Sequence, residues 1–210
     1  MKGLLMKDFY LIHKYCRMYL LIAVIFAVGY TVGDNIFMLF YPIVLGSIMP
    51  VTLLAYDEKS KWQVYAETFP YTRKEIVTAK YLITLLYLTA FVLLSAVSQA
   101  VHMLCVAEGF SLSSYLSVIL SLLAVGLVVP GITLPAVFKL GTEKGRMAYY
   151  GVVVAVCGLF GALGVMTDMN VAEIILGLRE WLAPVLLAAG TVVFAGSWML
   201  SVKFYQEREL

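Results

Sequence analysis

Ser95, Ser98, Gln99 and His102 recur at i, i+3, i+4 and i+7 inside an otherwise apolar run, so a helix sets all four on one face. Such a stripe in apolar surroundings has two meanings. It can line a path or a subunit interface, or it can hydrogen-bond one helix to another, and interhelical bonding is the commoner use. Little other chemistry is present. The chain has two histidines and three cysteines, and Cys16, Cys105 and Cys157 are too far apart for a metal or disulfide spacing. Gly141-Thr142-Glu143-Lys144-Gly145 has a glycine at each end but lacks the spacing of a phosphate-binding loop. There is no H-E-x-x-H helix and no serine in a G-x-S-x-G setting, so neither a metalloprotease nor a serine hydrolase finds its groups here. No catalytic, metal-ligating or cofactor-binding residue is expected in this chain, and nucleic acid is not an expected partner. Ionisable residues are also missing from the middle of every apolar run, and none is expected to be buried. Ion-coupled transporters place carboxylates or histidines at that depth.

The elements that would carry these residues follow from composition. Of 210 residues, 62% are hydrophobic and only 13% charged, against roughly half and a quarter in soluble domains. A bilayer accommodates such a chain. Apolar runs over 15–33, 36–56, 81–106, 112–138, 147–166 and 181–202 are each expected to be long enough to cross about 30 Å of hydrocarbon, the first being the shortest. The sequence therefore predicts an all-α polytopic membrane protein with six transmembrane helices, forming a single domain over 1–210. No room is left for a separate catalytic domain. Pro42, Pro50, Pro130 and Pro135 are expected to bend the second and fourth spans. Gly158, Gly161 and Gly164 give the fifth a patch for close helix approach.

Charge fixes the orientation. Fourteen of the 15 lysines and arginines fall in the N-terminal segment, the loops after spans 2 and 4, and the C-terminal tail. The opposite loops hold Arg179 alone, beside Asp34, Glu108, Asp168, Glu173 and Glu180. By the positive-inside rule both termini lie in the cytoplasm.

Three segments between or before the spans have structure of their own. Over 2–17, Leu5, Phe9, Ile12 and Cys16 share one helical face and Lys7, Tyr10, Lys14 and Arg17 the other, as in an amphipathic helix lying in the cytoplasmic interface. In the long loop 57–80, a short helix over 60–69 would place Trp62, Tyr65 and Phe69 on one face. Pro70 then stops it, and Thr72-Arg73-Lys74-Glu75 forms a capping box that starts the next helix. Residues 171–178 are apolar but too short to span, which fits a re-entrant or interfacial segment between spans 5 and 6.

One stretch carries a resemblance. The segment 67–81 is similar to a signature of ABC-2 type permeases, whose loop after span 2 reads LP-x-[ST]-R-x-x-I-V-x-x-K-Y. Pro70, Thr72, Arg73, Ile76, Val77, Lys80 and Tyr81 match it, and Phe69 replaces the leucine. The opening residues 1–8 and the loop 138–146 also look like this group, and the similarity extends over the whole chain. It resembles in particular the small permeases of bacterial peptide and phenol-soluble modulin exporters and of bacteriocin-immunity systems. The resemblance implies the permease subunit of an ATP-driven exporter in a bacterial cytoplasmic membrane, moving amphipathic or hydrophobic peptides or lipid-like toxins. It implies a homodimer, or a pair with a related permease, docked on separately encoded ATPase subunits that bind the ATP-Mg. The short helix after span 2 would be the coupling helix, with Trp62, Tyr65, Glu67 and Phe69 as contacts. Arg73 and Lys80 would be anchors near lipid phosphate. The alternative is a non-transporting immunity or scaffold protein that sequesters a peptide.

Overall fold

Eight helices form the described part of the computed structural model, which covers residues 2–33, 35–66, 68–105, 112–166 and 182–207. They are α1 (Lys2–Tyr15), α2 (Arg17–Val32), α3 (Ile36–Lys59), α4 (Trp62–Ala66), α5 (Arg73–Cys105), α6 (Leu112–Leu140), α7 (Thr142–Met166) and α8 (Leu182–Glu207). No strand occurs among the described residues. An α-helix satisfies its own backbone, which is why an apolar chain in hydrocarbon folds this way.

Helices stand at all six apolar runs. Among the described residues, α3, α5, α6 and α8 are long and apolar enough to cross a membrane. The first run is shorter than a span. The 16 residues of α2 rise only about 24 Å at 1.5 Å each. It joins α1 through a 68° bend, and the bent pair together would make a fifth crossing. The bend sits at Cys16, which is buried and bonds its amide back to the Ile12 carbonyl at 2.7 Å. Helix α7 occupies the fifth run, but most side chains after Ala155 lie outside the described residues, as do segment 171–178 and Trp181. Gly158 of the expected glycine patch faces open space among the described residues.

Two buried clusters hold the bundle. In one, Val51 and Leu54 of α3, Val77 and Tyr81 of α5, Leu134 and Phe138 of α6 and Phe194 and Tyr205 of α8 pack together with Leu4 of α1. In the other, Ile12, Ala23, Leu39, Ile43, Phe91 and Leu122 join α1 and α2 to α3, α5 and α6. Helix α5 thus lies between the α2–α3 side and the α6–α8 pair. Its tie to α8 is polar as well: Tyr81 Oη lies 2.6 Å from Ser197 Oγ and 2.7 Å from Ser201 Oγ. Helix α8 turns Val185, Val192 and Met199 outward, which costs nothing against lipid tails.

Two glycines make the sharp α6–α7 connection possible. Gly141 ends α6 at φ 85°, a left-handed conformation open to glycine at little cost. One turn later, a Cβ on Gly145 would stand 2.3 Å from Val137 Cγ2 and 2.9 Å from Val137 Cα, so only a bare backbone lets the two helices approach.

Candidate functional site

One end of the bundle gathers α1, α4, the last turn of α3, the first turns of α5, the α6–α7 connection and the tail of α8. Local sequence builds its first part. Glu75 Oε2 accepts from the Thr72 amide at 2.8 Å and from Thr72 Oγ1 at 3.0 Å, while Thr72 Oγ1 accepts from the Glu75 amide at 3.2 Å. This is the capping box the spacing predicts, and it starts α5 at Arg73. Arg73 is half-buried. Its guanidinium donates to the Gln206 carbonyl at 2.9 Å and to the Tyr205 carbonyl at 3.4 Å, satisfying carbonyls that the last turn of α8 leaves open.

Helix α4 is shorter than its sequence implies, covering Trp62–Ala66, and turns carry the chain on to Pro70. It is set off from α3 by Lys61, which adopts φ 53°, an uncommon conformation for a residue with a side chain. The expected aromatic face divides. Trp62 packs inward against the first cluster and its ring lies 6.0 Å from that of Phe69, roughly parallel. Tyr65 points away, 62% exposed, beside an exposed Val64. With five residues the helix makes little more than one turn, so residues three apart are not held on one face by packing. Glu67 lies outside the described residues.

The largest departure from expectation is ionic. Asp8, Asp57 and Lys80 are all buried, at 1%, 4% and 2% exposure. Lys80 Nζ lies 2.7 Å from Asp8 Oδ1 and 2.5 Å from Asp57 Oδ2. Lys7 Nζ adds a second cation, 2.7 Å from Asp57 Oδ1 and 3.3 Å from Asp8 Oδ1. Two carboxylates and two ammonium groups therefore neutralise one another where α1, α3 and α5 meet. Such groups persist in an interior only when paired. Burial, then the neighbouring Lys80 charge, holds the Lys7 ammonium below the usual lysine range. Lys80 is consequently no surface anchor for lipid phosphate. The cluster also moves the buried face of α1: Leu4, Asp8, Ile12 and Cys16 are buried, while Phe9 is half exposed. Lys7, assigned to the outer face by periodicity, reaches the Trp62 ring at 4.3 Å.

A second set of bonds radiates from the residue after Asp57. Glu58 Oε2 accepts from the Thr142 amide at 3.0 Å and from Thr142 Oγ1 at 2.5 Å. A cleft of about 720 Å³ opens beside this bond, lined by Tyr56, Lys59, Lys144 and Arg146 among others.

The polar stripe lies far from this end. Ser95 Oγ donates to the Leu39 carbonyl at 3.1 Å and Ser98 Oγ to the Ala27 carbonyl at 2.7 Å. These bonds fasten α5 to α3 and α2. Gln99 is 1% exposed and His102, also buried, packs its ring 4.9 Å from that of Tyr30. The two serines thus act between helices, fastening α5 to α3 and α2 rather than to the charged end. No group of His, Cys, Asp and Glu among the described residues could hold a metal.

The arrangement sets an exposed Tyr65 on a short helix beside a buried ionic cluster of Lys7, Asp8, Asp57 and Lys80. No curated protein matches the chain. A family model described as ABC-2 family transporter protein matches residues 3–206, which takes in every described helix save the end residues Lys2 and Glu207. The chain is a member of the ABC-2 transporter family, and so a multi-pass membrane component of an ABC transporter rather than a catalyst in its own right.

Proposed function

We propose that this chain is the permease subunit of a bacterial ATP-driven exporter, in which α4 is the coupling helix that receives the ATPase. The observation that carries this is the division of α4. Val64 and Tyr65 are exposed at 58% and 62%, while Trp62 on the other side is seated under Lys7 and against the bundle core. Exposed aromatic side chains on a rigid support are what protein partners use as anchors. Trp62, partly buried beneath them, converts a push on α4 into a push on α1, α3 and α5. Phe69 belongs to the same contact surface, and Glu67 joins it by sequence position.

The remaining features fit this role. In this reading all six apolar runs cross, α2 as a short crossing without α1, and the charge asymmetry supports an even number of crossings with both termini in the cytoplasm, so that the charged end faces the ATPase. Helix α1 lies along the cytoplasmic boundary and buttresses α4. Two copies, or one copy and a related permease, surround the path, each served by an ATPase that binds ATP-Mg. The apolar character of the spans favours amphipathic or hydrophobic peptides, or lipid-like toxins, as cargo.

The test is a pull-down of the tagged chain from mild detergent, followed by mass spectrometry. A stoichiometric ATPase, lost when residues 60–69 are scrambled, is expected. Recovery of the intact chain alone overturns the assignment and leaves a scaffold that sequesters peptide without transporting it.

A further inference from the structure

Asp57 and Glu58 are adjacent residues in the last turn of α3, and they bond in different directions. Asp57 engages Lys7 of α1 and Lys80 of α5. Glu58 engages Thr142, the first residue of α7. Both stand only a few residues before α4, across Ser60 and the unusual backbone of Lys61.

The bond at Thr142 has a particular physical basis. The first four amides of a helix have no partner inside it, and a side chain at the preceding position commonly supplies one. Before α7 that position is Gly141, whose conformation closes α6 and which has no side chain to offer. Glu58 provides the missing acceptor from another helix, and its charge suits the positive end of the α7 dipole. The start of α7 is therefore held from α3. A second bond fixes the same pair further in, where Tyr149 Oη donates to the Val44 carbonyl at 2.8 Å. Held to α3 at both points, α7 has little freedom to stay behind when the end of α3 moves.

We propose that Glu58 is a positioning residue through which movement of the coupling loop reaches α7, so that the end of α3 is a fork with Asp57 driving α1 and α5 and Glu58 driving α7. The proposal rests on α4 being the ATPase contact, and the experiment separates the two ideas. The complex of the full chain with its co-purified ATPase is placed in lipid nanodiscs. Hydrogen exchange is followed with and without ATP-Mg. In the unaltered chain, residues 142–150 and residues 73–80 are both expected to change their exchange on adding nucleotide. In E58A the change over 142–150 is lost while that over 73–80 persists. E58Q, which keeps an acceptor oxygen, restores it. T142P provides a second route: it removes both donors at a first helical position, where proline is well tolerated, and should lose the same response.

A purely structural cap would raise exchange at the start of α7 without altering the response to nucleotide. An unchanged response over 142–150 in E58A and T142P, with the ATPase still bound, overturns the fork alone. Failure of the unaltered chain to recover an ATPase overturns the docking assignment and the fork with it.

Discussion

The ammonium group of Lys7 sits 4.3 Å above the ring of Trp62. The same nitrogen bonds Asp57 Oδ1 at 2.7 Å, so one side chain touches both the short helix and the buried ionic joint. A cation over an indole face is attracted by the ring quadrupole, by roughly 0.5–2 kcal/mol depending on solvation. The contact ties α1 to α4 as well as to the end of α3.

The two aromatic residues of α4 should therefore fail differently. Y65A removes an exposed ring and should leave the melting temperature of the detergent-solubilised chain within about 1–2 °C, since exposed substitutions usually change stability by less than about 0.5 kcal/mol. It should nevertheless weaken ATPase recovery at least tenfold, the loss of roughly 1.4 kcal/mol or more that an interface anchor carries. W62A should lower the melting temperature as well, because it empties a packed site. Equal recovery of ATPase by Y65A and the unaltered chain would remove Tyr65 from the contact.

Lys80 offers the sharpest stability test. K80M leaves Asp8 and Asp57 buried with Lys7 as the remaining cation, and breaking a buried ion pair from one side costs about 3–5 kcal/mol. Expression of monodisperse protein should collapse, as read by size-exclusion chromatography. Removing the facing charge too, in D8L/K80M, should recover much of the loss, because apolar replacement of a whole buried pair is often near neutral. A K80M chain as stable as the parent would mean that the cluster is solvated and not a joint.

The contrast between Glu75 and Lys80 shows what the sequence could and could not announce. Thr72 and Glu75 are three residues apart, so their mutual capping is dictated by local geometry and is legible in a four-residue pattern. Lys80 meets Asp8 across 72 residues, and no periodicity joins them. An aspartate on a short amphipathic helix is assigned to water by default, which shifted the expected face of α1 and placed Lys80 at a lipid headgroup. The apolar runs were visible because each is a property of its own segment. A turn between the amphipathic segment 2–17 and the first apolar run was expected, and a 68° bend is found there; its exact place at Cys16 was not legible, since nothing in the residues 15–17 breaks a helix. Likewise Ser95 and Ser98 were legible as a stripe, but their acceptors are backbone carbonyls of other helices, which carry no residue-type signal.

Gly145 should prove intolerant of any side chain. The 2.3 Å approach to Val137 Cγ2 could be relieved by rotation of that side chain or by V137A, but the 2.9 Å approach to Val137 Cα could not. Overpacking of this kind typically costs about 1–3 kcal/mol. G145A should lower the melting temperature in detergent, and G145A/V137A should regain only part of the difference. Full recovery in the double variant would show that the helices adjust their spacing freely at this crossing.

The hydroxyl of Tyr81 joins α5 to α8 through two serines at once, and the consequences of removing it depend on what is removed alongside. Y81F keeps the ring against Phe194 but deprives Ser197 and Ser201, both buried, of a shared partner. Leaving buried polar groups unsatisfied costs about 1–3 kcal/mol, so the single change should be measurably destabilising. The triple variant Y81F/S197A/S201A removes every orphan and should lie closer to the parent than Y81F does, a non-additivity expected only of groups in direct contact. A thermal-unfolding series of the parent, Y81F, S197A/S201A and the triple variant supplies the cycle. Strictly additive melting shifts would show that the three hydroxyls do not bond one another.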